Sequence, residues 1–237
     1  MRVAYITGVS RGLGEATARQ FLLEGWTVVG LGRTHNLEHD QYNAVYLNLE
    51  HQEIPEIPIF PEATELVWIN NAAIVGKIGY LGTEAQDLQS IYLTIQINLS
   101  AALALSHRII QLYDGFKGLF TLINISSGAG RNAYPSWSAY CASKAGMDMF
   151  SRVLDIEWKT QGKHNFRVFS VAPGIIDTGM QTQIRQAKPE DFPLLERFQK
   201  YHEEGALETA EAVASKLIGF IRRRDDFSEV LADLRLV

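Results

Sequence analysis

Tyr140 and Lys144 stand four residues apart in Tyr140-Cys141-Ala142-Ser143-Lys144, a spacing that puts both on one face of a helix. A phenol beside an ammonium is a candidate acid–base pair. The unperturbed phenol titrates near about 10, and a nearby positive charge favours phenolate and brings it toward working pH. The spacing alone decides nothing: chance gives roughly 0.3 such pairs in 237 residues with 9 tyrosines and 8 lysines, so context must carry the reading. That context is Ser126-Ser127 and Asn98, with Asn70-Asn71-Ala72-Ala73 and Pro173-Gly174 at the ends of strand-like runs. Tyr140 as proton donor and Ser127 as hydrogen-bond donor suit a ketone oxygen that gains negative charge as hydride arrives.

A second chemistry lies near the start of the chain. Thr7-Gly8-Val9-Ser10-Arg11-Gly12-Leu13-Gly14 follows a strand-like run and leads into helical periodicity. Glycines there allow a tight turn and close approach of backbone to a pyrophosphate, which a helix N-terminus favours. Three residues separate the first two glycines, so the spacing is not the common G-x-G-x-x-G. After the next strand-like run stands Gly32-Arg33, where a carboxylate for a ribose 2′-OH would be expected. Arg33 with Arg11 matches a 2′-phosphate instead, which favours NADP(H) over NAD(H).

The elements that must position these groups alternate. Strand-like runs are Val3 to Ile6, Val28 to Leu31, Ala44 to Leu47, Glu65 to Ile69, Leu119 to Ile125, Phe166 to Val171 and Val230 to Leu234. Helical periodicity fills most of the gaps, beginning with Glu15 to Leu23. The pattern predicts one Rossmann-type domain over 1–237: a doubly wound parallel sheet of about seven strands, α/β in class, with helices on both faces. Pro55, Pro58 and Pro61 predict an irregular crossover between Asn48 and Glu65. The segment 178–205, rich in Gln, Glu and Lys, predicts a small helical substrate lid. Arg222, Arg223 and Arg224 follow the apolar-periodic stretch Val213 to Ile221 and read as a solvated helix end.

Composition narrows the function classes. Hydrophobic residues at 46% and charged residues at 21% describe an ordinary globular chain, and a net charge of -5 gives no general attraction to nucleic acid or anionic lipid. One cysteine, Cys141, excludes an intramolecular disulfide, and no signal-peptide pattern is seen, so a cytoplasmic protein is expected. Cys141 itself reads as a small buried filler. The six histidines show no metal-ligand spacing, and no metal site is expected.

Taken in chain order, Thr7 to Gly14, Asn70 to Ala73, Asn98, Ser127, Tyr140 to Lys144 and Pro173-Gly174 resemble the short-chain dehydrogenase/reductase family over nearly the whole chain. The resemblance implies catalytic roles for Asn98, Ser127, Tyr140 and Lys144, with Lys144 also holding the nicotinamide ribose and Asn98 anchoring a proton-relay water. It implies cofactor contacts from Gly8, Ser10, Arg11, Gly12, Leu13, Gly14, Arg33, Asn71, Ala72, Ala73, Tyr140, Lys144, Pro173, Gly174, Ile176 and Thr178. Ala73 stands where the family usually has Gly, and Asn48 where an adenine-contacting Asp is common. Members usually assemble through two long helices, here beginning near Asn98 and Ser138, so a homodimer or homotetramer is expected.

Ser138 to Lys144, Ala172 to Gln181 and Glu204 to Leu207 look like the sepiapterin reductase and benzil reductase branch. That implies a carbonyl next to another carbonyl or imine-like centre, and Asp233 looks like the carboxylate that anchors a pterin ring. Tyr134 and Trp137 offer stacking surfaces for a flat substrate, and Met180 could close the pocket from the lid. The alternatives are a reductase of an unrelated simple ketone and a non-catalytic NADP(H) sensor. A nucleotide-sugar epimerase needs a larger C-terminal region than this chain has.

Overall fold

Runs of Val, Ile, Leu and Phe without polar alternation belong in a sheet covered on both faces. The computed structural model, described here for residues 1–236, has such a sheet. Its strands are β1 (Arg2–Thr7), β2 (Thr27–Gly32), β3 (Tyr42–Tyr46), β4 (Glu65–Asn70), β5 (Leu119–Ile125), β6 (Phe166–Ala172) and β7 (Leu231–Asp233). All pair in parallel, in the order β3-β2-β1-β4-β5-β6-β7. Each expected strand is present, its ends displaced by at most two residues.

One face is covered by α1 (Gly12–Leu23) and α7 (Ala210–Arg222), which bury Phe21, Leu217 and Phe220 against Ile6, Val28 and Val67. The other is covered by α3 (Ala101–Leu112) and α4 (Ser138–Thr160), which bury Leu105, Ile109, Leu154 and Trp158 against Tyr5, Trp68 and Phe120. Burying each such side chain stabilises the fold by about 1.5–3 kcal/mol. The segment 178–205 carries α5 (Gly179–Arg185) and α6 (Leu195–Glu203). It belongs to a third cluster in which Phe192, Phe198 and Ile184 pack with Trp137 and Tyr140. The proline-containing segment 48–64 carries neither helix nor strand, as expected.

Two expectations are corrected. The helical run containing Asn98 starts at α2 (Leu88–Ile95), so Asn98 does not open it. A π-helical turn, Gln96–Ser100, joins α2 to α3 and holds Asn98 in mid-run. Such turns insert one residue into the ladder and re-aim a side chain, and apolar periodicity does not reveal them. The cations after α7 are also not uniformly solvated: Arg222 pairs with Glu24, but Arg224 is buried and pairs with Glu65 at 2.7 Å.

The run Leu88–Leu112 is long and apolar enough to cross a membrane by length and composition. Here Leu105 and Ile109 are core residues, and α2 packs on α4. An apolar stripe stays exposed on this side, made of Leu88, Tyr92 and, on α4, Met149, Val153 and Ile156.

Candidate active site

The strand order reverses between β1 and β4, and the loops leaving their C-terminal ends diverge to open a crevice. A single cavity of about 1330 Å³ runs from Gly8 and Arg33 at one end to Tyr201 and Arg235 at the other, with Ser127, Tyr140 and Lys144 between them.

At the first end, Gly8 and Gly12 have φ of +74° and +60°, a region that favours glycine. A Cβ at Gly8 would lie 2.9 Å from Ala72 Cα, and one at Gly12 would lie 3.3 Å from Thr178 Cγ2, filling the cradle above the start of α1. Asn71 ties this loop to β4: its Nδ2 donates to the Thr7 carbonyl at 2.9 Å and to the Gly8 carbonyl at 3.2 Å. The bare turn, the helix N-terminus and the lining by Ser10, Arg11, Leu13, Asn71, Ala72, Ala73, Pro173, Gly174, Ile176 and Thr178 fit a dinucleotide's phosphates. Gly14 faces the Gly8 carbonyl and Asn71, outside the lining, and so serves helix–loop packing. Arg11 and Arg33 both line the cavity, but Arg33 is not free: its Nη1 pairs with Glu50 Oε1 at 2.9 Å. Glu50 follows β3 on a loop, and the sequence reading missed it because only the fold brings it to Arg33.

In the middle, α4 begins at Ser138 and carries Tyr140 and Lys144 on one buried face. Lys144 Nζ donates to the Ile125 carbonyl at 2.8 Å and lies 5.7 Å from the centre of the Tyr140 ring. Burial lowers the amine to about 8, partly opposed by the negative charge of Asp148. Burial also pushes the Tyr140 phenol up to about 12, against the lowering effect of the Ser127 side chain. The expected fall of the phenol toward working pH is therefore not found: exclusion of water outweighs any help from Lys144. Ser127 Oγ accepts from the Ala129 N–H at 3.2 Å, which leaves its own proton to donate.

Asn98 is fully buried and fully engaged. Its Oδ1 accepts from the Ile74 N–H at 2.8 Å, and its Nδ2 donates to the Ile74 carbonyl at 2.8 Å and to Ser143 at 3.1 Å. It therefore clamps the segment after β4 to α4. A small cavity of about 10 Å³ lies between Asn98, Thr7 and Lys144.

Behind Lys144, Asp148 accepts from Ser170 at 2.6 Å and pairs with Arg131 Nε at 3.2 Å. Arg131 also donates to the Ser170 and Ala232 carbonyls. This network joins α4 to β6, β7 and the loop that bears Ser127.

At the far end, Tyr134, Trp137 and Met180 line the cavity with Ile184, Leu194, Arg197, Phe198, Tyr201 and Arg235. Trp137 is also a core residue, stacked between Tyr134 (5.3 Å, 19°) and Phe192 (5.4 Å, 12°). Cys141 is half-buried. Asp233 does not line the cavity. Its carboxylate is held by Arg235, whose Nε lies 2.9 Å from Oδ1 and Nη2 2.5 Å from Oδ2, so the side chain offered there is the arginine. Arg197, Tyr201 and Arg235 carry no short motif, and nothing in the sequence marks them.

The model for short chain dehydrogenases matches residues 65–189. Benzil reductase ((S)-benzoin forming) of Bacillus subtilis (strain 168) is 36% identical over 233 residues, covering 94% of each chain. The chain belongs to the short-chain dehydrogenase family. The sepiapterin reductase of Mus musculus, 32% identical over 171 residues, covers 72% of this chain and 63% of its own. Among solved structures, the KRED1-Pglu enzyme superposes with a TM-score of 0.77 at 26% identity, over 93% of this chain and 94% of that one. As a short-chain dehydrogenase, the chain is an oxidoreductase related to the benzil and sepiapterin reductases.

Proposed function

We propose that this single-domain protein is an NADPH-dependent carbonyl reductase acting on a ketone or diketone, benzil-like or bearing a pterin-like side chain. The observation that carries this reading is one cavity holding Tyr140, Ser127 and Lys144 together with the glycine cradle of Gly8 and Gly12. The relation to benzil reductases favours a diketone.

NADPH, when bound, supplies the hydride. The glycine cradle would hold its phosphates, with Asn71 bracing the loop and Ala72 and Ala73 lining it, Lys144 would hold its ribose, and Arg11 and Arg33 would hold its 2′-phosphate in competition with Glu50. Ser127 donates a hydrogen bond to the substrate oxygen and fixes the carbonyl's direction. Tyr140, neutral at physiological pH because its phenol is raised to about 12, gives its proton to that oxygen. Lys144, charged below about 8, steadies the phenolate left behind. The 10 Å³ cavity beside Asn98 and Lys144 has room for about one water through which a proton could return.

A reading as an NADP(H) sensor without turnover has less support, because all three reacting side chains are present. The Arg33–Glu50 pair supports NADH as the rival cofactor, since a free Glu50 could accept from a ribose 2′-OH. The exposed stripe of Leu88, Tyr92, Met149, Val153 and Ile156 supports a homo-oligomer, and the single cysteine supports a cytoplasmic setting. The test is oxidation of NADPH and of NADH, followed by absorbance, with benzil, sepiapterin and a simple aryl ketone. Turnover of either of the first two, with NADPH preferred, is expected; turnover of the simple ketone alone removes the diketone assignment.

A further inference from the structure

The far end of the cavity is basic in a way that neither benzil nor a pterin requires. Arg197 on α6 is exposed and lines the cavity. Its Nε donates to Tyr201 Oη at 2.5 Å, and among the described residues it has no carboxylate partner. Arg235, just beyond β7, lays its stem 3.3 Å from where a Cβ on Gly174 would sit, beside the turn that ends β6. It spends Nε and Nη2 on Asp233 and leaves Nη1 without a hydrogen bond among the described residues. Tyr134 lines the same cavity as both guanidiniums. The acidic side chains lining the cavity are Glu50, held by Arg33, and Asp177.

The distance from the chemistry can be followed through the aromatic wall. The Trp137 ring lies edge-on to Tyr140 at 5.5 Å and is stacked on Tyr134 at 5.3 Å. Trp137 thus bridges the proton donor and Tyr134 along the cavity wall. Apolar surfaces from Met180, Ile184 and Phe198 complete the passage.

We propose that Arg197 and Arg235, which line the same cavity as Tyr134 and Tyr201, form an anion subsite, so that the preferred substrate is a flat ketone or diketone bearing a carboxylate on the part remote from the reacting carbonyl. This deepens the reductase reading and rests on it. Two guanidinium groups present planar donors that match a carboxylate, and the Tyr134 and Tyr201 hydroxyls can complete its shell. Arg197, whose charge no carboxylate offsets among the described residues, also draws anions to the mouth of the cavity.

The experiment compares kcat/KM for benzil and for benzil carrying one para-carboxylate, in the wild type, Arg197→Met and Arg235→Met. In the wild type the carboxylated substrate is expected to be favoured by about ten-fold, equal to ~1.4 kcal/mol. Raising ionic strength should shrink that ratio, and each substitution should bring it toward unity. A wild-type ratio of one or less overturns the subsite while leaving the reductase reading intact, as does a ratio that neither substitution changes. Failure to reduce either diketone, with sepiapterin or a simple aryl ketone reduced, removes the diketone assignment and the subsite with it; failure on all of them overturns the reductase reading. The wild-type ratio and its salt dependence decide the matter even if a variant folds poorly.

Discussion

Lys144 lies with its Nζ 5.7 Å from the centre of the Tyr140 ring, and both groups are buried. Exclusion of water acts on them in opposite senses, raising the phenol to about 12 and lowering the amine to about 8. In the direction of reduction this leaves a phenol that keeps its proton and an ammonium that can be lost in mild alkali. Reduction should therefore be level in kcat/KM below about pH 8 and fall above it as Lys144 loses its charge. A pH profile of NADPH oxidation checks this, and a rate that stays level beyond pH 9 would remove Lys144 from the account.

The same burial makes Lys144 a stability cost. Its pKa is 10.5 unfolded and about 8 folded, so the unfolded chain binds the extra proton between those values, and stability rises with pH across that window. Below it the folded protein carries a buried ammonium. Lys144→Met should abolish turnover yet stabilise the fold at pH 7, on the order of 1–3 kcal/mol. Urea denaturation measures it; a Lys144→Met protein less stable than wild type would contradict the claim.

Arg33 and Glu50 make cofactor choice a competition. Glu50→Gln should free Arg33 and improve kcat/KM for NADPH over NADH by about ten-fold, and Arg33→Met should reverse the preference by a similar factor. An unchanged NADPH to NADH ratio in both variants would show that neither residue reads the 2′ position.

Asp148 is positioned to matter without touching a substrate. It is buried, with Arg131 and Ser170 as partners. Asp148→Ala leaves a guanidinium and a hydroxyl unpaired and should cost about 3 kcal/mol of stability. Thermal unfolding is the measurement, and a change within about 0.5 kcal/mol would mark the network as slack.

The exposed stripe on α2 and α4 has a direct consequence for assembly. Val153→Lys together with Ile156→Lys should convert an oligomer to a monomer with the fold intact, seen by light scattering and circular dichroism. A wild-type monomer would contradict the assembly reading.

Local chemistry was readable from the sequence where it depends on neighbouring residues. The glycines after β1 and the Tyr140–Lys144 spacing are cases where turn geometry or one helical turn sets the arrangement, and the strands showed as short runs rich in Val, Ile, Leu and Phe, interrupted by single polar residues in β3, β5 and β6. What escaped depends on contacts distant in sequence. Glu50 meets Arg33, 17 residues away, only because β2 and β3 pair in parallel. Arg224 becomes buried by reaching Glu65, 159 residues away. Asp233 was read as facing a substrate, but a neighbour two residues on takes its carboxylate, since Arg235 can fold back over a short edge strand. Asn98 was placed at a helix start because a π-helical turn leaves no mark in hydrophobic periodicity.

The central claim is that Tyr140 delivers the proton to a ketone oxygen, with Lys144 steadying the phenolate it leaves. Tyr140→Phe removes one oxygen from a buried ring and leaves its edge-on contact with Trp137 in place. Measured with benzil and NADPH, it should lower kcat by at least about a hundred-fold while NADPH binding, followed by fluorescence, stays within about two-fold of wild type. A Tyr140→Phe enzyme that retains most of its kcat would contradict the account.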